Sequence, residues 1–302
     1  MPSSTAKQVR QALSIYARPH TRRGLTLYLL DVVQYLLALA AVLWLPWLAG
    51  KLIASVLVGI KMANLVTLAH DAAHNSLTRS RALNKFIAIT SLTPALFNYR
   101  LWVYDHHYLH HPDTNELHPD SYTPYSKDTF DALPRWRRAL ERAYRAPTLW
   151  TFGLYYIVER WSRAKFIPRR HMPDAVRRDA WPHFFYLTGY WLAYVAALAA
   201  APLYSNTGSL TALVLGFVVP FYVFQSLFAF TVYVQHTHPR VAWFAEVPDR
   251  NGDARQDFIS VHLRFPRLLS VLMHHVFDHA AHHVIRQSPV TTCLRRRPGS
   301  TS

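Results

Sequence analysis

The sequence predicts an all-α integral membrane protein in which four transmembrane helices form two hairpins beneath a cytoplasmic helical cap. Three observations predict it. Four runs are long and apolar enough to cross a bilayer, which takes about 20 residues of helix: roughly residues 25–48, 52–69, 184–203 and 210–230. Hydrophobic residues make up 51% of the 302 and charged residues only 17%, below the roughly 25% of a soluble domain. Lys and Arg avoid the two hairpin tips, with Lys51 the exception, and crowd the other side of the runs.

The runs pair in order. The first two are joined by a very short link at Gly50–Lys51, and the last two by Tyr204–Ser209, which carries no charge. Apart from Lys51 and Lys61, the basic residues lie in the N-terminal arm, the central region 76–183 and the C-terminal third. The positive-inside tendency places those three regions, and both termini, in the cytoplasm. Two shorter apolar stretches, 86–96 and 149–157, are too short to span and read as interfacial helices or buried caps. The chain reads as one domain over 1–302, with disordered ends near 1–8 and 295–302 and no cleaved signal peptide. The formal charge of +16 beside apolar runs of membrane length points to anionic lipid rather than nucleic acid. A single cysteine, Cys293, excludes a disulfide framework and a cysteine-based metal site.

The 18 histidines cluster. His70 and His74 close the second run, four residues apart and so on one helix face. His107, His110 and His111 form HxxHH, with His106 in front of them. His279, His282 and His283 repeat HxxHH, with His274 and His275 upstream. His236 and His238 follow the fourth run. The predicted topology returns all four groups to one side of the membrane, so they can converge. Imidazole without thiolate suits zinc, copper, iron or nickel, and eight or nine histidines suit two ions rather than one. A lone HxxxH is a common surface pair; the three boxes in this order, interleaved with two hairpins, are not. His20, His118, His171, His183 and His262 stand alone and read as ordinary interfacial histidines. Asp31, Gln34, Lys61 and Asn64 are polar positions in or near spans; Asp31 and Lys61 are either functional or, for Asp31, a side chain snorkelling at a membrane end.

On these residues the chain resembles the membrane fatty acid desaturase superfamily. HHYLHHPDTNELHPD at 106–120 resembles the second histidine box of the Δ12 (oleate-type) branch. YVQHTHP at 233–239 resembles that branch's QHTHP element, and HHVFDHAAHH at 274–283 its third box. The first box departs from it, with Ala72, Ala73 and Asn75 where the branch carries Cys, Gly and often a second His. The resemblance implies that His70, His74, His107, His110, His111, His236, His279, His282 and His283 hold two irons, with His238 the alternative to His236. Asp71, Asp105 and Asp278 stand beside the boxes, as outer partners of the imidazoles or as ordinary solvated carboxylates.

The implied activity is O2-dependent desaturation of a fatty-acyl chain carried on a lipid, CoA or acyl carrier protein. No side chain breaks an unactivated C–H bond, so the work falls to metal and O2. The chain shows no haem-binding module and no GxGxxG fingerprint, so electrons come from a separate donor, ferredoxin or cytochrome b5. The arginines of 135–145 and 160–170 offer a docking face for an acidic donor or for phosphates, or simply set topology. The same boxes serve acyl hydroxylases, acetylenases and other membrane oxygenases. A zinc-dependent membrane lipid hydrolase is the more distant reading, and a transporter would carry its polar residues at mid-span.

Overall fold

Pro46 decides where the first hairpin turns. Helix α1 runs Thr21–Trp44 and stops at Leu45, which is extended at φ −62° and ψ 139° because the following proline disfavours helix. Helix α2 opens at Leu48 and runs to Ala73. The link is therefore Leu45–Trp47, and Gly50 and Lys51 belong to the first turns of α2. The apolar run continues across Pro46, which is why hydropathy alone misplaces the break. The computed structural model describes residues 11, 18–112, 114–116, 121–146, 148–238, 241, 243–244, 260–261, 263–278 and 282–283. The ends expected to be disordered lie outside them.

Every described element of any length is helical. After α2 come α3 (Arg81–Leu92) and α4 (Tyr99–Val103), which runs on as a π-helix over Tyr104–His110. Then follow α5 (Lys127–Ala132), α6 (Arg135–Tyr144) and α7 (Leu149–Tyr155), the last continued by a π-helix over Tyr156–Lys165. Helix α8 (Asp174–Ala199) leads through a 3-10 turn into α9 (Ser209–His236), and α10 (Arg267–Leu272) precedes the last histidines.

Among the described residues α1, α2 and α9 are long and apolar enough to cross a membrane. Helix α8 contains most of the run expected at 184–203, but it starts at Asp174 and carries Arg177, Arg178 and Asp179 in its opening turns. The lipid-facing reading of the long helices fits their outer surfaces. Leu37 and Ile53 are each 64% exposed and Phe185 66%, an apolar surface that water would not tolerate at this extent.

Helix α2 is the axis of the fold. It packs against α1, α3 and α9 and buries most of its length, Val58, Leu68 and Ala69 included. Helix α9 approaches it closely at Gly59, where an added methyl would lie 2.7 Å from the Pro220 carbonyl oxygen and the Val223 side chain. Small residues let membrane helices meet in this way. Helix α7 lies along the other side of α9, with ring centroids 5.0 Å apart for Phe152–Tyr233 and for Tyr156–Phe228. The stretch 149–157 is thus a buried support beside a span. The stretch 86–96 likewise lies on α2 through Ile87, Ala88 and Leu92.

The hairpin tips are tied at the end opposite the histidines. The Lys51 ammonium folds back to donate to the Val42 carbonyl (3.2 Å), Asn206 Oδ1 (3.3 Å) and the Thr207 hydroxyl. The Asn206 amide donates to the Trp44 carbonyl at 2.8 Å and the Thr207 hydroxyl to that of Leu43 at 2.6 Å. One cation thus satisfies the carbonyl end of α1, where a positive charge is favoured, and binds the second tip to it.

The α2–α9 contact fixes the distance between two helices that each end in a metal-type histidine. A Gly59→Val substitution is expected to force them apart and to destabilise the protein by about 1–3 kcal/mol. Thermal unfolding of the detergent-solubilised protein measures this, and an unchanged midpoint would show that the contact is not limiting.

Candidate metal centre

The last turn of α2 supplies the first two imidazoles. His70 sits in that turn and His74 is the C-cap, so their rings stack up one face with centroids 4.9 Å apart. Asp71 is fully buried, and its Oδ1 meets His70 Nδ1 at 3.1 Å. A carboxylate there holds the proton on Nδ1 and turns the Nε2 lone pair outward, as in metal sites.

The second box lies on the π-helix that continues α4. The His111 amide bonds to the His106 carbonyl at 3.1 Å, five residues back rather than four. That ladder brings positions four and five apart onto one face, so His106, His110 and His111 group together. His106 stacks on His110 at 5.4 Å and meets His111 at 4.6 Å. Trp102 backs His106, stacked at 4.6 Å. The third contribution is His236, the last residue of α9, before the extended Thr237 ends the helix. It is 4% exposed, whereas His238, beyond the cap, is exposed. His282 and His283 complete the nest, both buried.

These rings form two groups. Ligand nitrogens of His70, His74, His106, His111 and His282 all lie within 4.8 Å of one another, and those of His110, His236 and His283 do the same. Within the first group His111 Nε2 lies 3.3 Å from His74 Nε2 and 3.2 Å from His282 Nε2. Metal–imidazole bonds of about 2.0–2.1 Å separate neighbouring ligand nitrogens by roughly this much. His106 Nε2 is buried and has no hydrogen-bond partner among the described residues. Ring nitrogens at these distances can share a proton or direct their lone pairs to one ion.

Both HH dipeptides divide between the groups. His111 and His282 belong to the first, His110 and His283 to the second. Successive side chains on a helix diverge by about 100°, so two adjacent histidines serve two ions more readily than one. Burial holds the His111 imidazole far below its usual range, and the neighbouring rings, His282 first, push the same way. His283 and His106 are lowered for the same reasons, burial foremost. These imidazoles are neutral at physiological pH, the form that binds metal.

Of the histidines expected in the site, seven lie in the two groups: His70, His74, His110, His111, His236, His282 and His283. His107 stands against His74, ring centroids 4.2 Å apart, outside both groups. His279 and the Asp278 side chain lie outside the described residues, as do His118 and His262. His106 takes a place in the first group that α-helical phasing does not give it; the signal was the extra histidine ahead of the box. Asp105 pairs with Arg160 at 2.7 Å and with Lys165. His20 caps α1, its Nδ1 accepting from the Arg23 amide at 3.4 Å; His183 packs on Tyr99.

A cavity opens onto both groups. His70, His106, His110 and His236 line one part; Ala63, Val66, Phe228, Val232 and Met273 are among its apolar lining, and Asp105, Lys165 and Gln235 among its polar lining. It lies between α2 and α9, so the imidazoles look into an apolar slot.

Helices long and apolar enough to cross a membrane thus meet two groups of histidines that could hold metal ions. The chain belongs to the fatty acid desaturase family, which it matches over residues 43–289. It is 27% identical over 250 residues to the sn-1 oleoyl-lipid 12-desaturase of Synechocystis sp., covering 80% of this chain and 66% of that protein. To the chloroplastic omega-6 fatty acid desaturase of Spinacia oleracea it is 22% identical over 277 residues, 86% of this chain and 55% of the relative. To the sn-1 acyl-lipid omega-3 desaturase (ferredoxin) of Synechocystis sp. it is 24% identical over 300 residues, 94% and 77% of the two. The alignments thus span 66% and 55% of the length of the first two relatives.

Asp71 contacts His70 of the first group and belongs to neither group itself. An Asp71→Ala substitution is expected to weaken metal binding by about 10- to 100-fold, with Asp71→Asn milder. Equilibrium dialysis against the metal measures it; an unaltered affinity would remove Asp71 from the centre.

Proposed function

We propose that the chain is an O2-dependent fatty-acyl desaturase with a histidine-bound pair of irons. The observation that carries the reading is the division of the two HH pairs between two largely buried imidazole groups at one end of a mostly apolar slot. When bound, two irons supply the O2 activation and hydrogen abstraction that no side chain offers. The balance is one CH2–CH2 unit, one O2, two electrons and two protons giving CH=CH and two waters.

The chain's own residues do the positioning. His70, His74, His106, His111 and His282 offer one ion its ligands, and His110, His236 and His283 offer the other theirs. His107 and His279 of the boxes are further candidates for the same pair. Val66, Phe228, Val232 and Met273 give an acyl chain an apolar surface and exclude water. Holding the reacting methylenes against the metals is an orientation effect.

The proposed topology has four spans, α8 supplying the third, with both termini and the metal nest in the cytoplasm. The Lys51 latch marks the opposite face. Substrate is an acyl chain on a lipid, CoA or carrier protein. Electrons arrive from a separate donor, ferredoxin or cytochrome b5; the name of one relative carries ferredoxin. Arg135, Arg138 and Arg142 of α6 give an acidic donor a basic face.

Expression in a host followed by mass spectrometry of its acyl chains tests the activity. New species two mass units lighter are expected, lost to background in His110→Ala. A gain of sixteen would make the protein a hydroxylase, and an unchanged profile with a full supply of donor would overturn the reading.

A further inference from the structure

No long helix delivers His282 and His283. They follow α10, a helix of six residues, and the 3-10 turn Val276–Asp278. Something else must fix that segment. The backbone between α10 and the turn shows how firmly it is held. His274 and His275 have φ of 51° and 59°, the left-handed region that side chains with a Cβ rarely adopt. Consecutive residues stay there only where the surroundings impose it.

The surroundings are polar side chains from three spans. Asn64 of α2 donates from Nδ2 to the Leu272 carbonyl at 2.9 Å. Gln235 of α9 donates from Nε2 to the Val276 carbonyl at 2.6 Å. Between them His274 Nε2 meets Oδ2 of Asp31 in α1. The other oxygen of Asp31 accepts from the Lys61 ammonium of α2 at 3.1 Å. Asp31 is 2% exposed, within a helix long and apolar enough to span. An ionisable group there is costly unless paired, and such groups mark function. Asp31 does not snorkel at a membrane end; both its oxygens are engaged inside the protein.

We propose that Asp31, Lys61 and His274 form a buried latch that positions the segment carrying His282 and His283 over the metal pair. The latch rests on the metal-centre reading given above. It assigns a role to α1, which carries none of the histidines in the two groups. Asp31 and His274 are positioning residues: they set the approach of two ligands and touch neither ion.

A double-mutant cycle on purified protein tests this, read as metal per chain and as the optical spectrum of the cobalt-substituted site. Wild type is expected to bind two ions. Asp31→Ala and His274→Ala are each expected to weaken metal binding about tenfold or more and to alter the spectrum. The double variant should be little worse than either single, because the two act as one unit. Asp31→Glu should restore much of the binding, and Lys61→Met should lower it as Asp31→Ala does. Should Asp31→Ala fail to accumulate, His274→Gln, outside the spans, carries the test, again with weakened binding expected. Wild-type affinity and spectrum in the single variants, or fully additive losses, would overturn the latch while leaving the metal centre intact. A wild-type protein that binds no metal would overturn the centre itself, and the latch with it.

Discussion

Two adjacent histidines on a helical turn cannot easily face one ion, since their side chains diverge by about 100°. The rest of the structure follows from arranging two such pairs around two points. His110 and His111 come from the π-helix after α4, and His282 and His283 from the segment after α10. The π-helix also supplies His106, and helix ends supply His70 and His74 from α2 and His236 from α9. Ring nitrogens 3.2–3.3 Å apart need either a proton shared between them or an ion to accept both lone pairs. Burial holds the His111 imidazole below its usual range, and a neutral imidazole is the form that binds metal.

The frame serves this convergence. Helix α2 buries most of its residues, and Gly59 lets α9 come close enough for its last residue to reach the nest. Lys51 ties the two hairpin tips at the far end. Asp31, Asn64 and Gln235 bond to the segment that carries His282 and His283, and Lys61 pairs with Asp31. Polar groups inside apolar helices are expensive, and here each has a stated partner. The slot between α2 and α9 then joins apolar walls to imidazoles, the combination that oxidation of a hydrocarbon chain requires.

Much of this was legible in the sequence because hydropathy and histidine spacing are local signals. The long helices lie close to where the apolar runs placed them, and α9 runs through His236 and stops before Pro239 as the proline demands. What was not legible was phase and long-range pairing. Pro46 moves the first turn to Leu45–Trp47 inside an unbroken apolar run. The π-helix at Tyr104–His110 rotates the second box so that His106 joins the first group and His107 stands beside it; α-helical periodicity cannot show that. Asp31 read as either a functional or a snorkelling residue because its partner His274 is 243 positions away. Helix α8 is the remaining difference: Pro182, His183 and its tyrosines and tryptophans leave it less apolar than the three candidate spans.

Membership of the desaturase family and the two imidazole groups meet in one claim: this chain holds two irons through histidine alone. Metal quantification on the purified protein, with Mössbauer spectroscopy of the iron-57 form, tests it most directly. The account predicts two irons per chain, high-spin and lacking any sulfur-ligand signature. One iron per chain, or stoichiometric zinc with no capacity to take up iron, would contradict it.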